Sequence, residues 1–100
     1  MNRAEELRTL ANVQEEIGDY NAALDLHRRA FLLQEKAVGK SSPELAPFIY
    51  ELAMVHGALD HDGEAARLLN WLVTIVPEDH PLRNEARLVL AELKQAQSAA

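Results

Sequence analysis

The sequence predicts an all-α fold: antiparallel helical hairpins stacked as a short right-handed α-solenoid of five helices. Three observations lead there. Apolar residues recur at steps of three and four along almost the whole chain, which places them on single helical faces. The composition is 48% hydrophobic but only 5% aromatic and is dominated by Ala and Leu, which suits close helix packing and not β-strands. A short Leu-Ala signature also returns twice at long spacing. The length of 100 residues fits one domain.

The first helix is expected over 3–17, where Leu7, Leu10, Ala11, Val13 and Ile17 share a face. Gly18 supplies a left-handed residue to end it, and Asp19 an oxygen to cap the next. The second helix, over 20–38, carries Ala23, His27, Ala30, Phe31, Gln34 and Val38 as its stripe, widened by Leu24, Leu26 and Leu33; Gly39 stops it. Ser42-Pro43 reads as an N-cap followed by a first-turn proline. The third helix, over 44–59, holds Leu45, Phe48, Ile49, Leu52, Ala53, Val55 and Leu59. Pro47 is awkward there, because a proline past the first turn removes a backbone donor and strikes the preceding turn. That helix must either start near Ala46 or bend. After a polar turn over 60–63, Ala65, Leu68, Leu69, Leu72, Val73 and Val76 mark a fourth helix over 63–76, ended by Pro77. His80-Pro81 repeats the cap-and-proline start. Leu82, Ala86, Val89, Leu90 and Leu93 define a fifth helix over 82–97, with the tail from Gln95 to Ala100 expected to fray.

Leu10-Ala11-Asn12-Val13 returns as Leu52-Ala53-Met54-Val55 and again as Leu90-Ala91-Glu92-Leu93, at spacings of 42 and 38 residues. The difference is about one helical turn, so it drops out of a helix without rotating the buried face. Leu10-Ala11, Gly18, Tyr20, Ala23 and Ala30 together resemble a tetratricopeptide repeat. The stretch Ala30 to Glu44, with its long second helix, is similar to the variant of kinesin light chains and their bacterial relatives, which shares the 42-residue spacing. Pro77-Glu78-Asp79-His80-Pro81 is similar to that variant's linker. The resemblance divides a single domain, 1–100, into repeat 1 at about 3–40, repeat 2 at about 43–77 and a terminal capping helix at about 81–97. Repeat 2 departs from the family pattern: Asp60 stands where Gly is usual, Asp62 where Tyr is usual, and Leu72 where a small residue is usual. Leu72 is expected either to push the helices apart or to fill the gap left by the missing tyrosine.

Stacked repeats bury a continuous core and form extended concave surfaces. In the family, the first helix of each pair lines a concave groove that takes a peptide. The resemblance therefore implies a protein-binding scaffold or adaptor. Its groove would be lined by Arg8, Asn12 and Glu15, by Tyr50, Glu51 and Met54, and by Leu88 and Glu92, with Glu5, Ala58, Glu85 and Val89 on the same mapped faces. The Asn12 amide both donates and accepts, which suits a peptide backbone, and Arg8 suits a carboxylate. Glu51 stands where a chaperone-tail clamp would want Asn, which argues against that specialisation. Tyr50 and Met54 beside acidic residues favour a partner segment with apolar and basic residues. The plainer reading makes Arg8 and Asn12 solvated polar residues and puts Tyr50 and Met54 in the core. Trp71 and Ile75 form a second apolar stripe, either the seat of the fifth helix or a homodimer contact. Two other functional readings stand beside the groove: a self-associating structural domain, and a segment of a larger signalling or regulatory protein.

The formal charge of −6, from 16 acidic and 10 basic side chains, repels phosphate backbones and speaks against nucleic acid. With no cysteine, neither a disulfide nor a thiolate metal site is possible. The stretch Met1 to Glu6 lacks the apolar core of a signal peptide, and the apolar run Leu72 to Val76 is far too short to cross a bilayer. A cytoplasmic protein without membrane contact is expected. His56, Asp60, His61 and Asp62 have metal-ligand spacing, but helix ends commonly carry such residues for capping and dipole reasons. Glu5-Glu6 and Glu15-Glu16 are solvated pairs, Ser41, Ser42 and Ser98 lack an adjacent base, and the glycines make no phosphate cradle. No metal, cofactor or enzymatic activity is expected.

Overall fold

The computed structural model describes residues 2–99, with side chains as far as Ala96. Five α-helices follow one another: α1 (Arg3–Glu16), α2 (Tyr20–Val38), α3 (Ala46–Ala58), α4 (Asp62–Ile75) and α5 (Pro81–Ala99), with a 3-10 turn at Pro43–Leu45 ahead of α3. Among the described residues there is no strand. The helix boundaries have local causes. The Asn2 side chain accepts the Glu5 N–H at 2.8 Å, and Asp19 accepts that of Ala22 at 3.1 Å. The Ser42 hydroxyl accepts the Glu44 N–H at 3.1 Å, and His80 Nδ1 that of Leu82 at 3.1 Å. At the other ends, Gly18 and Gly39 take φ of 86° and 90°, the left-handed region that glycine enters freely. Asp60 does the same at φ 63°, a conformation that aspartate tolerates. Arg83 reaches back to close α4, its Nη1 donating to Val73 O at 2.9 Å and Val76 O at 3.0 Å, carbonyls that the helix itself leaves unpaired.

Pro47 bends nothing. The 3-10 turn delays α3 until Ala46, so the proline falls in the first turn, where its missing N–H is not needed. The tail predicted to fray is helical as far as Ala99: Lys94, Gln95 and Ala96 are good helix formers, and no Gly or Pro interrupts them. Ala100 lies outside the described residues.

The helices pack in order, α1 on α2, α2 on α3, α3 on α4, and α5 on α4 and α3. This is two stacked hairpins closed by a fifth helix. Ala11, Ala23, Ala30, Ala53, Ala65 and Ala86 are buried and let the helices approach closely, while Ile49, Leu69 and Leu72 fill the space between α3 and α4 without exposing any surface. Trp71, expected either to seat the fifth helix or to make a homodimer contact, meets repeat 1. Its indole N–H donates to Lys40 O at 3.2 Å and its ring stands edge-on to Phe31, with centroids 5.6 Å apart.

One feature corrects the periodicity reading. Leu10, Val13 and Ile17, expected in the core stripe of α1, are exposed. Helical spacing shows which residues share a face, not whether a neighbour covers it. In α5, meanwhile, the positions equivalent to buried Ala4, Leu7 and Ala11 of α1, and to Ala46, Ile49 and Ala53 of α3, are Asn84, Arg87 and Ala91, all exposed. A polar outer face is what a terminal capping helix requires.

Candidate functional site

The first helices of the repeats are joined through polar side chains. Arg8 leaves α1 towards α3. Its Nε lies 2.8 Å from Glu51 Oε2, its Nη1 lies 3.3 Å from Glu5 Oε1, and its guanidinium carbon sits 5.2 Å from the centre of the Phe48 ring. The contact with Glu51 is Coulombic and not an aligned hydrogen bond: Glu51 Oε2 is buried and, among the described residues, has no hydrogen-bond partner. Burial pushes the Glu51 carboxyl above the usual range, Arg8 and His27 pull it back, and the charges of Glu15 and Glu5 raise it again.

His27 lies beneath this pair on α2, only 2% exposed. Its Nε2 meets Glu15 Oε1, and its Nδ1 is 3.9 Å from Glu51 Oε2. Arg8, Glu15, Glu51 and His27, from three helices, thus form one cluster. The sequence reading places His27 in an apolar stripe and treats the other three as groove-facing. The structure turns Arg8 onto a carboxylate of its own chain and ties Glu15 to α2.

The rest of the predicted groove is more open. Asn12 lies one turn beyond Arg8 and is half-buried. Tyr50 is half-buried against the core, while Met54 and Leu88 are among the exposed large apolar side chains. Burial raises the Tyr50 phenol pKa, and the carboxylates of Glu85 and Glu92 on α5 raise it further, so both act on the Tyr50 ring. Met54 lies one turn from Tyr50 on α3, and Leu88 lies between Glu85 and Glu92 on one face of α5, so exposed apolar side chains alternate with acidic ones there. Trp71 and Ile75, half-buried on α4, belong to a different part of the molecule.

A second concavity escapes the sequence reading. A cavity of about 570 Å³ opens between α2 and α4 over α3, lined by Phe31, Leu68 and Trp71 and rimmed by Arg28, Lys40 and Arg67 as well as Glu35 and Glu64. Its walls come from two second helices whose rim residues each look like an ordinary solvated face.

His56, at the back of that cavity, is buried, and its Nδ1 lies 3.0 Å from Nδ1 of His61. One proton can bridge the two rings, but two imidazolium ions cannot share the contact. Burial lowers the His56 pKa, and His61, Arg28 and Arg67 lower it further against the opposing pull of Glu64. An unfolded chain takes up this proton near the ordinary value of 6.5, whereas the folded chain does so only at lower pH. The contribution of His56 to stability is therefore complete above that range and declines as pH falls through it. The thermal midpoint should drop more between about pH 7.5 and about 5.5 in the wild type than in His56→Phe. Equal drops in differential scanning fluorimetry would exclude this role. Among the described residues, no three His, Cys, Asp or Glu side chains gather to hold an ion.

No described helix is long and apolar enough to cross a membrane. No family model matches the chain, and no curated protein matches its sequence.

Proposed function

We propose that this chain is a tetratricopeptide-like interaction module of the cytoplasm, non-catalytic in itself, that binds a partner segment carrying apolar and basic side chains across α1, α3 and α5. The observation that carries the reading is the set of apolar side chains Tyr50, Met54 and Leu88 on α3 and α5, with Glu85 and Glu92 among them. An aromatic ring and a thioether give adaptable apolar contact, and the carboxylates select lysine or arginine beside it. The copied Leu-Ala register and the stacked hairpins support the family resemblance.

Selection from a random peptide library should enrich sequences that combine Leu, Phe or Met with Arg or Lys. A selected peptide should lose about 30-fold or more in affinity on Tyr50→Ala combined with Met54→Ala, the scale of a hot spot. Glu85→Lys with Glu92→Lys should weaken it again and flatten its salt dependence. Enrichment of acidic peptides whose binding is lost in Arg28→Glu or Arg67→Glu would overturn the reading and move the site to the cavity between α2 and α4.

A further inference from the structure

The face of α1 turned away from repeat 2 is apolar and open. Leu10, Val13 and Ile17, spaced by three and four, are 53%, 48% and 70% exposed. The internal repeat supplies a control. Their equivalents 42 residues on are Leu52, Val55 and Leu59; Leu52 and Val55 are 5% and 0% exposed, and Leu59 is half-buried. Those residues lie on α3, against which α2 packs. The α1 stripe thus has the register of a helix that carries a neighbour, and within this chain it carries none.

We propose that a second copy of the chain covers this face, α1 against α1 in an antiparallel, two-fold contact. The other end of the molecule is a poor cover. Where α1 and α3 carry buried alanine, leucine and isoleucine, α5 turns Asn84 and Arg87 outward, with Lys94 two turns further on; head-to-tail stacking would desolvate those charges against an apolar stripe. The stripe also suits itself. Leu10, Val13 and Ile17 follow a three-and-four rhythm and make a short heptad-like seam. Charge then fixes the direction. Arg3 lies at the start of α1, Glu16 at its end and Asp19 in the turn that follows, all exposed. Antiparallel pairing sets each Arg3 beside the other copy's acidic end, twice by symmetry. The existing Arg3–Glu6 contact, at 3.9 Å between exposed side chains, is too weak to hold Arg3 back.

Sedimentation equilibrium of the 100-residue chain, from about 1 to about 300 μM, should give a mass that rises to twice 11.2 kDa and stops. Leu10→Glu with Val13→Glu should weaken the dimer by at least about 100-fold with an unchanged helical circular-dichroism signal, because neither side chain lies in the core. Arg3→Glu alone should weaken it about tenfold, and Arg3→Glu with Glu16→Arg should restore it. A monomer at every concentration overturns the proposal. So does a dimer that survives Leu10→Glu/Val13→Glu, one lost instead on Ile75→Glu, or a mass that climbs past two copies. This contact is separate from the peptide-binding spot, so Tyr50→Ala/Met54→Ala should leave the dimer intact.

Discussion

Truncation of Leu72 to alanine is expected to destabilise the fold by about 2–5 kcal/mol, even though the family resemblance makes a small residue the usual occupant of that position. Leu72 is among the largest side chains with no exposed surface, and it belongs to the main core cluster. Its equivalent in repeat 1 is Ala30, also fully buried. Leu72 therefore fills core space that Ala30 leaves to its neighbours in repeat 1, and removing it leaves a void there. In a chain of this length, the loss corresponds to a fall in melting temperature of roughly 10–30 °C. Urea denaturation should show a lower midpoint with an unchanged slope. A cost below about 1 kcal/mol would mean that α3 and α4 close up when the leucine is removed, and that Leu72 holds them apart instead of filling a gap.

The sequence was most informative where chemistry is local. Gly18 and Gly39 end helices because they can adopt positive φ, and Asp19, Ser42 and His80 cap them through side chains only two or three residues from the backbone groups they serve. The repeated Leu-Ala pattern is equally legible, because stacking copies requires the same register. Contacts made by stacking itself were not. Arg8, Glu15 and Glu51 each look like one polar residue on an amphipathic helix, and only the packing of α1, α2 and α3 brings them together around His27. No sequence pattern singles out Arg83, whose bonds to Val73 O and Val76 O form only when α5 folds back to the end of α4. Trp71 reads as part of a second apolar stripe with Ile75, and only the packing of α2 and α4 sets it against the Phe31 ring. The candidate groove is legible to the same degree: Tyr50, Met54 and Leu88 follow from the register, but the inward turn of Arg8 and Glu15 does not.

Replacing Arg8 with methionine tests that cluster directly. It leaves the partly buried Glu51 carboxylate without its guanidinium partner, and should lower stability by about 1–3 kcal/mol at neutral pH. The cost stays under that of breaking a fully buried pair because the two side chains keep 27% and 25% of their surface in solvent. Arg8→Met with Glu51→Leu should recover most of the loss, since an apolar pair of similar volume needs no counter-charge. Burial already raises the Glu51 pKa, and loss of Arg8 raises it further. The folded variant then holds a proton at pH values where the unfolded chain has released it. Its deficit relative to wild type must therefore shrink as pH falls from about 7 to about 5. The His56 proton acts in the opposite direction, but it is common to both proteins and cancels in the difference. If the single and double variants are equally unstable, or the deficit is the same at both pH values, Arg8 stabilises the fold through its position over Phe48 and not through its pairing with Glu51.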